Sequence, residues 1–189
     1  RLAELPSVVW PCAQRVDSLL LAPSDPPKQV LKAPNVTGPF GVYSFAGQTE
    51  PISATQRAYA VGNPHVQNLA SLRGLPQDLN WRQPWPSDDP ALRAEITRVY
   101  ELLAIVAHEL LDAISRTLGL RESLSRHLSG AAERSQRAQR SDCRLEFKRY
   151  NRNAASDSAL SMSSHRDLSA LTFVLDNGVE GLELAAPSV

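Results

Sequence analysis

The sequence has 189 residues, and its 20 acidic and 20 basic side chains give zero net charge at neutral pH. This balance creates no overall field toward nucleic acid or an anionic membrane surface, and no stretch approaches the roughly 18 apolar residues that a transmembrane helix needs. We therefore expect one cytoplasmic domain with a small-molecule substrate, no nucleic-acid partner and no membrane partner. Cys12 and Cys143 are too few and too far apart for a disulfide framework or a zinc site, which predicts two free thiols.

The N-terminal part of the chain is rich in proline. Thirteen of the 14 prolines precede residue 91, and proline interrupts both helices and sheets. Residues 1–75 are therefore predicted to form an irregular arm, with short strands near Phe40–Phe45.

Residues 76–142 are predicted to be mainly helical. Apolar residues recur there at three- and four-residue steps, which is typical of one long amphipathic helix: Leu92, Ile96, Val99, Leu103, Val106, Leu110, Ile114 and Leu118. Asp88 or Asp89 can cap the start of this helix, Pro90 suits its first turn, and Gly119 suits its C-terminal end. A shorter helix is predicted over 122–129, followed by a polar loop.

Residues 143–189 have the pattern of β structure. In CRLEFKRY, Leu145 and Phe147 alternate with charged residues, which indicates a half-buried strand. After a second polar stretch, ALTFVL is rich in β-forming residues, and Asp176-Asn177-Gly178 favours a tight turn. The segment GLELA can then return as a paired strand.

The triplet His165-Arg166-Asp167 lies just before this predicted hairpin. It matches the start of a protein-kinase catalytic loop, but Thr172 occupies the position of the magnesium-binding Asn, and the glycine-rich loop and the strand lysine are absent from the sequence. In an extended segment, residues two apart leave the same face, so His165 and Asp167 could instead bind one metal ion. One imidazole and one carboxylate, with a second histidine, form the facial triad of non-haem Fe(II) oxygenases. A chance triplet is the third reading.

From these residues outward, the sequence resembles the 2-oxoglutarate and Fe(II)-dependent dioxygenases of the isopenicillin N synthase-like group. The family pattern His-Thr-Asp-x-Gly-x-Leu-Thr, followed by a strand, an acidic turn and Gly-Leu-x-Val, is matched at His165, Asp167, Leu171, Thr172, Gly181 and Leu182. Ser169 replaces the family glycine. Upstream, NWRQPWPSDDPALRAEITRVYELLAIVAHELLDAISRTLGL is similar to the family's Trp-Pro segment, long helix and Leu-Gly-Leu ending, and CRLEFKRYN is similar to its Leu-Arg-Leu-x-x-Tyr strand.

This resemblance covers residues 76 to 184 and implies an α+β fold, a double-stranded β-helix or jelly roll braced by the long helix. Residues 143–189 would hold only the first part of the barrel. His165 and Asp167 would be two Fe(II) ligands, and Tyr150 would bind the co-substrate 2-oxoglutarate. The implied reaction uses 2-oxoglutarate and O2 to hydroxylate, desaturate or cyclise a small organic substrate, with release of succinate and CO2.

The family's third ligand, a later histidine, and its Arg-x-Ser pair for 2-oxoglutarate have no match in the 22 residues after Asp167. We therefore expect a chain that is incomplete at its C-terminal end. The alternative is a truncated or degenerate relative that acts as a non-catalytic interaction module. Among the remaining histidines, His108 is predicted to be partly buried in the long helix, and His65 and His127 are not expected to be ligands. The arginine-rich run from 134 to 152 is predicted to be a solvated loop and strand edge.

Overall fold

A computed structural model describes residues 5–21, 36–38, 41–43, 47–53, 56–65, 83, 85, 89–129, 136, 143–150, 167 and 169–178. The helices are α1 (Leu5–Val16), α2 (Pro90–Thr117) and α3 (Arg126–Ser129), and α1 continues into a π-helical turn, Asp17–Leu21. The strands are β1 (Val36–Gly38), β2 (Gly41–Tyr43), β3 (Gly47–Ser53), β4 (Gln56–Val61) and β5 (Leu145–Tyr150).

The strands form two antiparallel sheets. β1 and β2 make a hairpin in which Val36 lies opposite Tyr43 and Gly38 opposite Gly41. The larger sheet has the order β3-β4-β5, so a strand from the N-terminal region is paired with one that follows α2. Gln56 lies opposite Tyr150 at one end of the β4–β5 ladder.

Helix α2 has the ends that the sequence predicts. Asp89 is the N-cap residue, and its Oδ1 accepts a hydrogen bond from Ala91 N at 2.9 Å, while Pro90 occupies the first turn. At the other end Gly119 has φ +64°, a conformation that glycine adopts without the steric penalty of a Cβ. The long helix is confirmed, whereas α3 covers only the last four residues of the shorter helix predicted over 122–129.

The region predicted as an irregular arm with short strands near Phe40–Phe45 holds β2 at 41–43, and it begins with a helix that was not predicted. α1 buries residues at steps of three and four, which are Leu5, Val9, Cys12 and Val16, even though Pro11 lies inside the helix. These side chains join β4, α2 and β5 in one hydrophobic core, whose remaining buried members are Tyr59, Val61, Leu92, Ile96, Val99 and Phe147. Packing of the apolar face outweighs the local cost of proline here. The N-terminal region is therefore part of the same core as the long helix.

The apolar stripe predicted on α2 is only half buried. Its first three residues are in the core, but Leu110 is 38% exposed and Leu118 is also exposed. In the second half of the helix the buried positions are instead Ala104, Ala107, His108, Leu111 and Ser115. Near the middle of the helix, Tyr100 and Ala104 form a separate buried cluster beside Cys143 and Leu145. The buried positions therefore depart from the predicted stripe in the second half of the helix.

The strand predicted from CRLEFKRY is confirmed as β5, with Phe147 buried and Leu145 partly buried. The turn at Asp176 is also confirmed, because Gly178 has φ +81° and its N donates to Asp176 Oδ1 at 2.8 Å. No strand is assigned to residues 171–175 in the described part of the chain, and the returning segment 179–184 lies outside the described residues. The hairpin and the double-stranded β-helix stay predictions.

Candidate functional site

Tyr150 ends β5 on the face of the sheet that points away from the helices. Side chains alternate between the two faces of a strand. Phe147 lies on the inner face, which packs into the core with the helices, and its ring stacks on that of Tyr59 with centroids 6.5 Å apart. Tyr150 belongs to the opposite face and is 47% exposed. Tyr150 is thus a partly exposed residue at the end of a paired strand.

The same outer face carries a row of charged side chains, which we call the outer row: Arg144, Glu146 and Lys148. Glu146 Oε1 accepts from Arg144 Nη2, and its Oε2 lies 2.9 Å from Lys148 Nζ. One carboxylate therefore bridges two cations. Tyr150 follows Lys148 by two residues and continues the row.

Arg149 points to the inner face instead. Its Nη1 donates to Asp17 Oδ2 at 2.5 Å, which ties β5 to the π-helical turn after α1. In the arginine-rich run, which was predicted to be a solvated loop and strand edge, the three described cations at β5 pair with carboxylates: Arg144 and Lys148 with Glu146, and Arg149 with Asp17.

The described residues place the predicted metal-site side chains only in part. Asp167 is exposed, and His165 lies outside the described residues. The segment after Asp167 is locally ordered by a 2.6 Å hydrogen bond between the hydroxyls of Ser169 and Thr172. Within the described ranges, no cluster of three His, Cys, Asp or Glu side chains could hold a metal ion. Tyr150, His165 and Asp167 are therefore not seen together as one site.

The other three histidines lie in helices or in an ion pair between two parts of the fold. His108 is buried in α2, as predicted, and His127 is exposed on α3. His65 Nε2 lies 3.0 Å from Glu101 Oε1, so His65 links the end of the β4 region to α2. These positions give none of the three an evident role beside Asp167.

A polar cluster between α1 and α2 was not predicted. Arg15 donates to Glu95 Oε1 and to Asp89 Oδ2, the latter at 2.6 Å, and thereby ties α1 to the first turns of α2. Cys12 lies beside this cluster with no exposed surface, and its burial, together with the negative charge of Glu95, raises the pKa of the thiol to about 12. The four-residue step from Cys12 to Val16 was a signal for α1, but the pairing of Arg15 with α2 has no signature in the sequence.

A second polar cluster closes the C-terminal end of α2. Ser123 Oγ and Ser125 Oγ both donate to Asp112 Oδ1, and Leu124 N donates to Ser115 Oγ at 2.8 Å. Ser125 has no exposed surface. These bonds fix the turn after Gly119 against the helix, and the hydroxyls serve as structural partners of Asp112.

Both thiols are free, as expected from the sequence. Among the described residues, no helix is both long enough and apolar enough to cross a bilayer. No protein-family model, curated protein or solved structure matches the chain.

Proposed function

We propose that the chain is part of an Fe(II)- and 2-oxoglutarate-dependent dioxygenase that oxidises a small organic substrate. The observation that carries the proposal is the order of motifs from the Trp-Pro segment to Gly181-Leu182, with Tyr150 partly exposed at the end of a regular strand. The long helix and β5 lie where the resemblance expects a helix and a strand. The double-stranded β-helix is the fold that we propose for the complete domain.

The donor set suits iron. Asp167 offers an exposed carboxylate and His165 an imidazole, and Fe(II) accepts both ligand types in facial sites that leave positions open. His165 and Asp167 would hold the metal, with a third ligand from a residue that we do not assign. When bound, iron and 2-oxoglutarate would supply the activation of O2 that the oxidation requires.

The chain's own residues would orient the co-substrate and exclude water. The Tyr150 hydroxyl can donate a hydrogen bond to a carboxylate oxygen of 2-oxoglutarate, and β5 holds that hydroxyl at a fixed height above the sheet. Leu171 and Phe173 are partly buried and alternate with the exposed Thr172 and Val174. In the proposed site their side chains would form an apolar wall near Asp167, which would strengthen polar interactions there by limiting water.

The proposal includes a cytoplasmic location and a small-molecule substrate. Cys12 and Cys143 are both free thiols, which suits a reducing compartment. The zero net charge gives no attraction toward polyanions.

A non-catalytic interaction module is the second candidate. It is favoured by the exposed apolar side chains that follow Asp167, since Val174 is 61% exposed and Leu175 is also exposed. Such side chains in an extended segment can pair with a partner strand. This candidate predicts that iron-loaded protein forms no succinate from 2-oxoglutarate with any substrate tried.

The test is anaerobic titration of the protein with Fe(II) and 2-oxoglutarate, followed by a succinate assay in the presence of O2. His165→Ala and Asp167→Ala should each lower iron affinity at least tenfold, because each removes one ligand. His127→Ala and Glu122→Ala remove an exposed imidazole and an exposed carboxylate elsewhere and serve as matched controls. Iron affinity that is unchanged in both ligand variants would rule out the proposed site.

A further inference from the structure

The outer row on β5 has a feature that the dioxygenase proposal does not use. Glu146 and Lys148 stand on one side of the strand at two-residue spacing, Arg144 pairs with Glu146 from just before the strand, and Tyr150 ends it. The start of the strand is fixed to α2, because the Tyr100 hydroxyl donates to Cys143 O at 3.3 Å. Six consecutive residues of β5 are paired with β4. The charged groups therefore stand on a rigid support.

The bridging carboxylate marks a position where negative charge is stabilised. Arg144 and Lys148 approach different oxygens of Glu146, so the cations flank one carboxylate from two sides. Their combined charge exceeds that of Glu146 by one unit. The side chains of Arg144, Glu146 and Lys148 are each between about a quarter and a third exposed, so a solute can reach them.

The neighbouring strand places two buried alanines, Ala58 and Ala60, beside the outer row. Residues directly opposite in an antiparallel ladder share a face, and Ala60 lies opposite Glu146 while Ala58 lies opposite Lys148. Both have the shortest side chain that a chiral residue can offer. Longer side chains at these two positions would stand beside the ammonium and the carboxylate.

We propose that the outer row is a binding site for the carboxylate of a small organic acid, and that Glu146 is its internal competitor. A ligand carboxylate takes the place of the Glu146 carboxylate between Arg144 and Lys148, and the Tyr150 hydroxyl donates to the other end of the ligand. Glu146 holds the site closed when the acid is absent. The site follows from the ion pairs alone, whereas the choice of 2-oxoglutarate as its ligand rests on the proposed function.

The experiment measures binding of succinate and of 2-oxoglutarate to metal-free protein by calorimetry at low ionic strength. Lys148→Met should weaken binding about tenfold, since it removes a charge-assisted hydrogen bond, and Lys148→Arg should restore most of the loss. Glu146→Gln should tighten binding several-fold, because it removes the competing charge. Arg126→Met deletes a surface cation on α3 that pairs with Glu122, and it should leave binding unchanged.

Circular dichroism and urea unfolding of each variant show that the fold is kept. If Lys148→Met does not fold, the several-fold tighter binding expected for Glu146→Gln still tests the site. The inference is overturned if Glu146→Gln weakens acid binding, or if Lys148→Met leaves the affinity unchanged. Succinate formation that needs iron but is indifferent to Lys148 would overturn the inference and leave the dioxygenase standing. Acid binding through Lys148 without any turnover would support the inference and count against the dioxygenase.

Discussion

The two halves of helix α2 should respond very differently to the same truncation. Ile96→Ala removes three carbon atoms from a side chain with no exposed surface, and at about 0.8 kcal/mol per buried CH2 the lost transfer energy is about 2.4 kcal/mol. The cavity left in a core built from α1, α2, β4 and β5 adds about 1 kcal/mol. The greater helix propensity of alanine returns a few tenths. We expect a net loss of about 3 kcal/mol.

Leu110→Ala also removes three carbon atoms, but from a side chain that is 38% exposed. About two thirds of the transfer energy is at stake, and water can fill the space that is left, so the expected loss is about 1.5 kcal/mol. Urea unfolding followed by circular dichroism and by tryptophan fluorescence measures both values, with equal m values required for the comparison. Equal losses for the two variants would mean that the apolar stripe is buried along its whole length, contrary to the structure.

Three further predictions concern the alkaline limit of stability and the ends of α2. Because the pKa of Cys12 is raised from 9.0 to about 12, the unfolded thiol ionises first. The free energy of unfolding should therefore fall by up to about 1.4 kcal/mol per pH unit between these values. In urea unfolding, Cys12→Ala should show a shallower dependence of this free energy on pH. Burial also raises the pKa of Tyr59, and this contribution is the same in both proteins. Asp89→Ala should lower the free energy of unfolding by about 1 to 2 kcal/mol, because it removes the cap of α2 and the ion pair with Arg15. Asp89→Asn keeps the cap, so its loss of stability should be less than half as large. Gly119→Ala should cost about 1 kcal/mol at its positive φ, and Gly119→Asn should cost less in the same thermal unfolding assay, because asparagine tolerates that conformation better.

The features that sequence reasoning predicted correctly are those determined by local chemistry. Asp89, Pro90 and Gly119 act through their own backbone or through bonds to residues one turn away, so their roles can be read from neighbours in the sequence. The alternation around Phe147 is equally local, because the period of a strand decides which side chains share a face. Both elements were therefore found where the sequence predicted them.

The features that it missed depend on residues far apart in the chain. α1 contains Pro11 in its interior, which argues against a helix locally, and its apolar face becomes favourable only when it packs on α2. The pairing of β4 with β5 joins segments more than 80 residues apart, and no spacing rule within either segment encodes that choice. For the same reason the relation of Asp167 to Tyr150 could not be predicted from the distance between them in sequence.

The two faces of β5 allow a further test, in which stability and ligand affinity are measured in the same variants. Burial of Phe147 against the helices places Lys148 and Tyr150 on the opposite face, so an organic acid should meet the sheet on the side away from α1 and α2. Ile96→Ala should then reduce stability without changing succinate affinity in protein that remains folded, while Lys148→Met should reduce affinity with little effect on stability. If Ile96→Ala lowered the affinity as much as Lys148→Met, the ligand would lie on the helical side. Neither the role proposed for Tyr150 nor that proposed for the outer row would then hold.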